Sequence, residues 1–335
     1  MFDKQENICN NYKSITMKKN TKTILTKIYK YVKKPSRLFI KMGDNYLLNW
    51  IPDEIYLRIR YKIMTGERLN LNNPVTFNEK LQWLKLYDRN PLYTELVDKY
   101  EVKKYISEMI GEEYIIPTIG VWNTFDEIDF NDLPDQFVLK CTHDSGGLVI
   151  VSNRSEFDQL QAKKKLEKRL RRNFYWSARE WPYKNVKPRI IAEEYLEEKG
   201  HKVPEDYKIY CINGKPKYIR VVHNRFDDRK PKCETVYDTK WIPQNISLDN
   251  RFLISNEVSE KPNCLDTLLN IAEKLCQGYT QIRLDFYIID SHIYFGEITF
   301  YPASGFQSMC PKEMDRVLGE ELKLPYELSV ESYTN

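Results

Sequence analysis

The chain has 335 residues, of which 41% are hydrophobic and 30% charged, with 24 tyrosines and only 12 glycines. That length and balance suit two ordinary domains, or one large one with a substantial core, and exclude a disordered, collagen-like or disulfide-scaffold chain. The net charge of +4 is unevenly spread: residues 7–43 hold ten basic side chains and no acid, which leaves −6 on the rest and argues against a nucleic-acid-binding body.

Residues 1–20 are polar and read as disordered. Residues 21–42 set Ile24, Leu25, Ile28, Tyr31 and Val32 at helical spacing among lysines, which predicts a basic amphipathic helix ended or broken by Pro35. No apolar run approaches the ~18–20 residues of a membrane span, and no apolar core with a cleavage site suggests a secretory signal. From about residue 50 the pattern becomes globular. Thr76 with Glu79 three positions on is a capping-box signal, and Phe77, Leu81 and Leu84 supply the apolar stripe behind it. Leu92, Leu96, Ile106 and Ile110 mark further helix, which would carry Asp98-Lys99 ahead of Lys103-Lys104 as a solvated face.

Strands are predicted at 137–141, 148–152, 190–196, 206–212, 217–223, 282–289 and 293–298, each short and rich in β-branched and aromatic residues. Ser155 with Asp158 opens a helix to about Asn173, and Leu265, Leu268, Leu269, Ala272 and Leu275 form another helical stripe. Helices between mostly sequential strands indicate an α+β protein with largely antiparallel sheets.

Three of these strand regions carry candidate chemistry. Phe137–Lys140, then Ser145-Gly146-Gly147, then Leu148–Val151 reads as strand, small-residue loop, strand. Loop N–H groups and a lysine ammonium can hold phosphate oxygens, although the same pattern describes an ordinary hairpin with an exposed lysine. It has neither the P-loop nor the dinucleotide-binding glycine pattern. Glu193-Glu194-Tyr195-Leu196 puts consecutive acids on opposite faces of an apolar strand, with Asp206 close behind; an amphipathic strand explains it equally well. Arg283-Leu284-Asp285 and Gly296-Glu297-Ile298-Thr299 flank a hairpin. A three-residue turn at Asp290-Ser291-His292 would set Asp285 opposite Glu297 with Cβ atoms ~5 Å apart. Two facing carboxylates on apolar strands would repel without a cation, and Mg²⁺ is the natural one; pairing with Arg283 or a surface lysine is the plainer alternative.

The seven cysteines are odd in number and no two are closer than twelve positions, and the four histidines are scattered. Zinc spacing is absent, and reduced thiols in a cytoplasmic protein are expected.

Taken in order, a lysine on a helix, a lysine on a strand before a small-residue loop, an acidic hinge and an Asp…Glu-x-Thr hairpin resemble the ATP-grasp superfamily. More closely, residues 73–83 (NPVTFNEKLQW), Asp98-Lys99-Tyr100, the Lys140 strand with Ser145-Gly146-Gly147, Glu193–Leu196 and residues 296–302 (GEITFYP) resemble the TupA-like ATP-grasp family of bacterial surface-polysaccharide gene clusters. The resemblance covers roughly residues 50–320. It implies an ATP-grasp fold, two α+β parts clasping ATP between antiparallel sheets, with a helical N-terminal region. Segments of 1–43 (basic arm), 44–135 (helical and α+β), 136–320 (ATP-grasp core) and 321–335 (tail) follow.

Carried over by position, the resemblance implies that Lys99 and Lys140 grip ATP phosphates under Ser145, Gly146 and Gly147. Glu193, Glu194, Tyr195 and Leu196 would form the adenine hinge and Asp206 would lie near the ribose. Asp285, Glu297 and Thr299 would hold Mg²⁺, with threonine in the place of the usual asparagine. Arg283 would stabilise the oxyanion. Lys103 has no clear role, and Asp144 and Asp228 are the candidates for a general base. The implied activity is ATP-dependent ligation of a carboxylate to an amine through an acyl phosphate, on a uronic acid and an amino acid or amino sugar of a surface polymer, with no nucleic-acid partner. A sugar kinase, a glycosyltransferase using Asp227-Asp228, and a polysaccharide-binding module are the alternatives. The basic arm is expected to contact anionic membrane at the inner face or to remain a solvated tail.

Overall fold

A computed structural model describes residues 35–197, 204–223, 231–249, 251–255 and 258–325. The chain divides into two units, residues 1–52 and 53–335. Within the first, helix α1 spans Pro35–Asp44. Pro35 therefore opens a helix instead of ending one. Its fixed φ suits a first turn, where the missing N–H has no intrahelical partner to lose. Residues 21–34 of the predicted basic helix lie outside the described residues.

The second unit begins with helices α2 (Asp53–Thr65), α3 (Phe77–Tyr87), α4 (Leu92–Val97) and α5 (Val102–Ile110). The capping box at α3 is present: the Thr76 hydroxyl accepts from Glu79 N, and the Glu79 carboxylate accepts from Thr76 N. Lys99 does not sit on a helix as expected. Asp98 ends α4, and its carboxylate accepts from Tyr100 N at 2.8 Å, folding residues 98–101 into a turn.

Strands β1 (Thr118–Trp122), β2 (Phe137–Cys141) and β3 (Val149–Val151) follow, then helices α6 (Gln159–Leu170) and α7 (Tyr175–Ala178) and strand β4 (Ile190–Glu194). They form a four-stranded antiparallel sheet in the order β1-β4-β2-β3. α6 lays Ala162 and Leu166 on Phe137, Leu139 and Ile190. Alternation along β2 then turns Val138 and Lys140 to the opposite face.

Strands β5 (Asp206–Ile212), β6 (Lys215–His223), β7 (Cys233–Asp238), β8 (Pro243–Gln244) and β9 (Leu253–Ile254) lead to helix α8 (Leu265–Cys276), strands β10 (Gln281–Ile289) and β11 (His292–Thr299), and helix α9 (Met314–Glu321). The order β11-β10-β5-β6-β7-β8 makes a second, larger sheet, with β9 parallel to β7. The expected antiparallel character holds for the other strand pairs. α8 covers one face with Leu268, Ala272 and Leu275, packed in one core with Ile209, Ile219, Ile282 and Leu284. At ~1.5–3 kcal/mol per fully buried aliphatic side chain, this contact fixes which face each strand turns inward. The other face of β10 and β5 carries Arg283, Asp285, Lys208 and Asp206, and these too are buried.

Candidate active site

Two constellations lie on the sheets of the second unit. On the larger sheet, the β10–β11 hairpin closes on Asp290 and Ser291, both left-handed (φ 48° and 68°), so the turn has two residues and Ile289 pairs with His292. The three-residue turn expected from sequence is absent. The register instead slips farther down: Phe286 pairs with Phe295, but Asp285 pairs with Glu297, so Gly296 is extra. A Cβ on Gly296 would stand 3.0 Å from the main-chain oxygen of Asp285. Glycine allows this bulge its close backbone approach, and the bulge turns Glu297 to the face of Asp285.

Arg283 ties that face together. Its Nε donates to Asp285 Oδ1 at 2.6 Å, and its Nη2 donates to Asp285 Oδ2 at 2.8 Å, Glu297 Oε1 at 3.1 Å and Thr299 Oγ1 at 3.0 Å. Lys208 bonds Asp285 Oδ2 as well and lies 2.7 Å from Asp206 Oδ2. The two facing carboxylates are thus neutralised by buried cations, not left to repel. Burial would raise the Asp285 carboxyl, but Arg283 and Lys208 overcome it and hold the group well below the usual carboxylate range. Glu297 is the half-buried member, with Lys99 Nζ 3.9 Å from its Oε2. Asp285, Glu297 and Thr299 offer hard oxygens, and one cationic nitrogen already stands within 3.1 Å of all three. That donor set fits Mg²⁺.

On the smaller sheet, Lys140 of β2 pairs with Glu193 of β4, and Lys103 of α5 approaches the same carboxylate at 2.8 Å. Lys103 also donates to Ile116 O at 2.6 Å and Thr118 Oγ1 at 2.8 Å. Burial works to raise the Glu193 carboxyl; the two ammonium groups outweigh it and hold it low. Beside this pair opens an apolar cavity lined by Val138, Leu148, Ile150, Tyr195, Leu196 and Tyr287. Glu194 also borders it. A flat aromatic base fits such walls, and Lys140 with Glu193 marks its polar end.

Lys99 reaches the metal-type face and the loop together: its Nζ donates to Asp144 O at 2.9 Å. In the loop, Ser145 and Gly146 are exposed, while Gly147 is buried. Asp144 is fully buried and paired with Arg169, so its carboxylate is not presented as a base, and Asp228 lies outside the described residues. The structure therefore brings Lys140 to Glu193 and the hinge, and Lys99, Arg283, Asp285, Glu297 and Thr299 to one face. Lys103, without a role in the sequence, is the second lysine on Glu193. Nothing in the spacing of Lys103 ties it to Glu193, and the turn at Asp98 that separates it from Lys99 was not legible.

Two antiparallel sheets, a buried acidic hairpin on one and an apolar cavity beside Lys140 on the other, fit an ATP-grasp protein. A family model described as TupA-like ATP-grasp matches residues 79–323, and the chain belongs to that family. No curated protein matches it. Among solved structures, an L-amino acid ligase from Bacillus licheniformis is similar at 14% identity, covering 82% of this chain and 63% of that one with a TM-score of 0.45. The D-alanine–D-alanine ligase of Helicobacter pylori is similar at 15% identity, with 76% and 68% covered and a TM-score of 0.42. That of Bacillus anthracis is similar at 16% identity, with 76% and 71% covered and a TM-score of 0.39.

Proposed function

We propose that this ATP-grasp protein joins a carboxylate to an amine with consumption of ATP. The observation that carries the reading is the Arg283 nitrogen bridging Asp285, Glu297 and Thr299 on a buried face. The face is flanked by Lys99, and Lys140 lines the apolar cavity with the hinge. The hinge Glu193–Leu196 receives the adenine, Asp206 lies near the ribose, and Lys99, Lys140 and the Ser145–Gly147 loop hold the phosphates. Asp285, Glu297 and Thr299 hold Mg²⁺, which when bound supplies positive charge to the phosphate oxygens.

A substrate carboxylate oxygen attacks the γ-phosphorus and ADP leaves, giving an acyl phosphate. The amine nitrogen then attacks the carbonyl carbon, phosphate leaves with the bonding pair, and the nitrogen loses a proton. Arg283 meets the charge that develops on the carbonyl oxygen, where a fixed cation in a dry site contributes most. Family membership supports a uronic acid unit of a surface polysaccharide as the carboxylate and an amino acid or amino sugar as the amine. The basic segment 7–43 supports attachment to an anionic inner leaflet, where such polymers are assembled on lipid carriers.

A screen of uronic acids against amino acids and amino sugars tests this by ADP release. The expected result is ADP and phosphate only when both partners are present, with an amide in the product. A stable phosphorylated sugar formed without amine means a kinase instead, and AMP with pyrophosphate excludes the acyl phosphate.

A further inference from the structure

The turn between β2 and β3 is tied to α6 at three points. Lys165 Nζ donates to Leu148 O at 2.6 Å. His143 Nε2 lies 3.2 Å from Arg169 O and 3.1 Å from Arg172 O, two carbonyls at the end of α6. Carbonyls only accept, so Nε2 carries the proton, and Nδ1 is buried without a hydrogen-bond partner. The third tie is the tightest in charge: Arg169 Nη1 donates to Asp144 Oδ2 at 3.1 Å. The Asp144 side chain is 0% exposed and its Oδ1 has no hydrogen-bond partner. Arg169 is the cation paired with that carboxylate among the described residues.

Arg169 also lies along the loop. Its Cγ stands 2.8 Å from where a Cβ on Gly147 would be, and its Nη2 stands 3.2 Å from the same point on Gly146. These glycines have φ of 74° and 100°, a left-handed backbone that favours glycine. Lys99 Nζ in turn holds the Asp144 main-chain oxygen at 2.9 Å. The loop is therefore clamped: Lys99 grips its backbone, and Arg169 grips its one buried acid and covers its glycines.

We propose that Arg169 is a positioning residue for the nucleotide. Through Asp144 it holds Ser145-Gly146-Gly147 in the conformation that receives phosphate, and so sets affinity for ATP. The inference rests on the ATP-dependent reading above. Without the guanidinium, Asp144 is a buried, unpaired acid, which a protein relieves by moving the group to water. That movement takes the turn with it, and a turn with two glycines costs much to order again on binding.

Calorimetric titration of the full-length protein with ATP and Mg²⁺ tests this, with thermal midpoints measured on the same samples. Arg169→Met is expected to weaken ATP by about tenfold, as loss of one charge-assisted contact implies. Arg169→Lys should recover most of that affinity. The double variant Asp144→Asn with Arg169→Met should bind no more weakly than Arg169→Met alone, since the neutral amide no longer needs the cation. Wild-type affinity in Arg169→Met overturns the inference while leaving the ligase reading intact. So does a loss that Arg169→Lys fails to recover and that tracks the thermal midpoint. Failure of the wild type to bind ATP overturns the ligase reading, and the inference falls with it.

Discussion

Glu297 faces Asp285 across the β10–β11 hairpin because one residue too many stands in β11, and that residue is Gly296. With a regular ladder from the two-residue turn, Gly296 would oppose Asp285 and Glu297 would turn with Leu284 toward the core. A tight turn at one end and a bulge eleven residues from Asp285 along the chain together give the odd offset that the pair requires. Arg283 then uses the offset: one guanidinium nitrogen reaches both carboxylates and the Thr299 hydroxyl.

Charge neutralisation at this pair should therefore cost stability as well as activity. Asp285→Asn leaves Arg283 and Lys208 buried with a weaker acceptor, so it is expected to lower unfolding free energy by about 3 kcal/mol, the scale of breaking one buried ion pair. Glu297→Gln, at a half-buried position, should stay within about 1 kcal/mol of wild type. Both should stop ADP release. Denaturant titration checks the first part; an Asp285→Asn protein as stable as wild type would mean that the carboxylates do repel in the folded state.

Most of the strands were legible because they follow period-2 alternation in short apolar segments, and the carboxylate pair was legible as a pair, although the bulge at Gly296 and not the expected three-residue turn sets it face to face. Part of what escaped shares one cause, charged side chains that only the fold buries, while β1 and the Gly296 bulge lie outside it. β7 was missed because Glu234 interrupts its apolar pattern. In the fold Glu234 is fully buried, paired with Arg220 of β6, and accepts from Ser247 Oγ at 2.5 Å and Leu248 N at 2.9 Å. α2 was missed because Arg60 breaks its stripe. Arg60 is buried all the same, its Nη1 donating to the Tyr56 hydroxyl at 2.9 Å. Hydrophobic spacing running through residues 92–110 predicts a helix at Lys99, while the Asp98 carboxylate that folds residues 98–101 into a turn shows no periodicity.

Lys103 and Lys140 share one carboxylate, so they should behave alike. Lys103→Met and Lys140→Met are each expected to weaken ATP by roughly tenfold, on ~1.5–3 kcal/mol for a charge-assisted contact. Lys104→Ala, whose side chain is 83% exposed, should leave binding unchanged. Equal effects from all three would make Lys140 a general electrostatic contributor and not a ligand.

Glu193 gives a pH dependence with a definite sign. Its folded-state pKa lies below the ordinary glutamate value, since Lys140 and Lys103 outweigh the cost of burial. The unfolded chain therefore binds more protons as pH falls through that ordinary value, ~4.3. The stabilisation from Glu193 is complete above this pH and is lost as pH falls toward the depressed folded value. Unfolding free energy measured from pH 6 down to pH 3 should fall less steeply in Glu193→Gln than in wild type. Parallel curves would show that Glu193 titrates normally in the fold.

The basic arm sets the last expectation. Residues 7–43 carry ten cationic side chains and no acid, against −6 on the rest of the chain. Within the described part, α1 exposes Arg37, Leu38 and Lys41 together. Basic residues near an anionic leaflet contribute ~1 kcal/mol each, and an apolar helical face adds buried area. No helix among the described residues is long and apolar enough to cross a membrane. Full-length protein should sediment with phosphatidylserine vesicles at low salt and lose that binding as salt rises and the Debye length shrinks from ~30 Å at 0.01 M to ~8 Å at 0.15 M. Deleting residues 1–43 should abolish sedimentation and leave ATP affinity unchanged, because no site residue lies before Lys99. Retained sedimentation would move the membrane contact onto the second unit, and loss of ATP affinity would mean that the arm supports the fold it precedes.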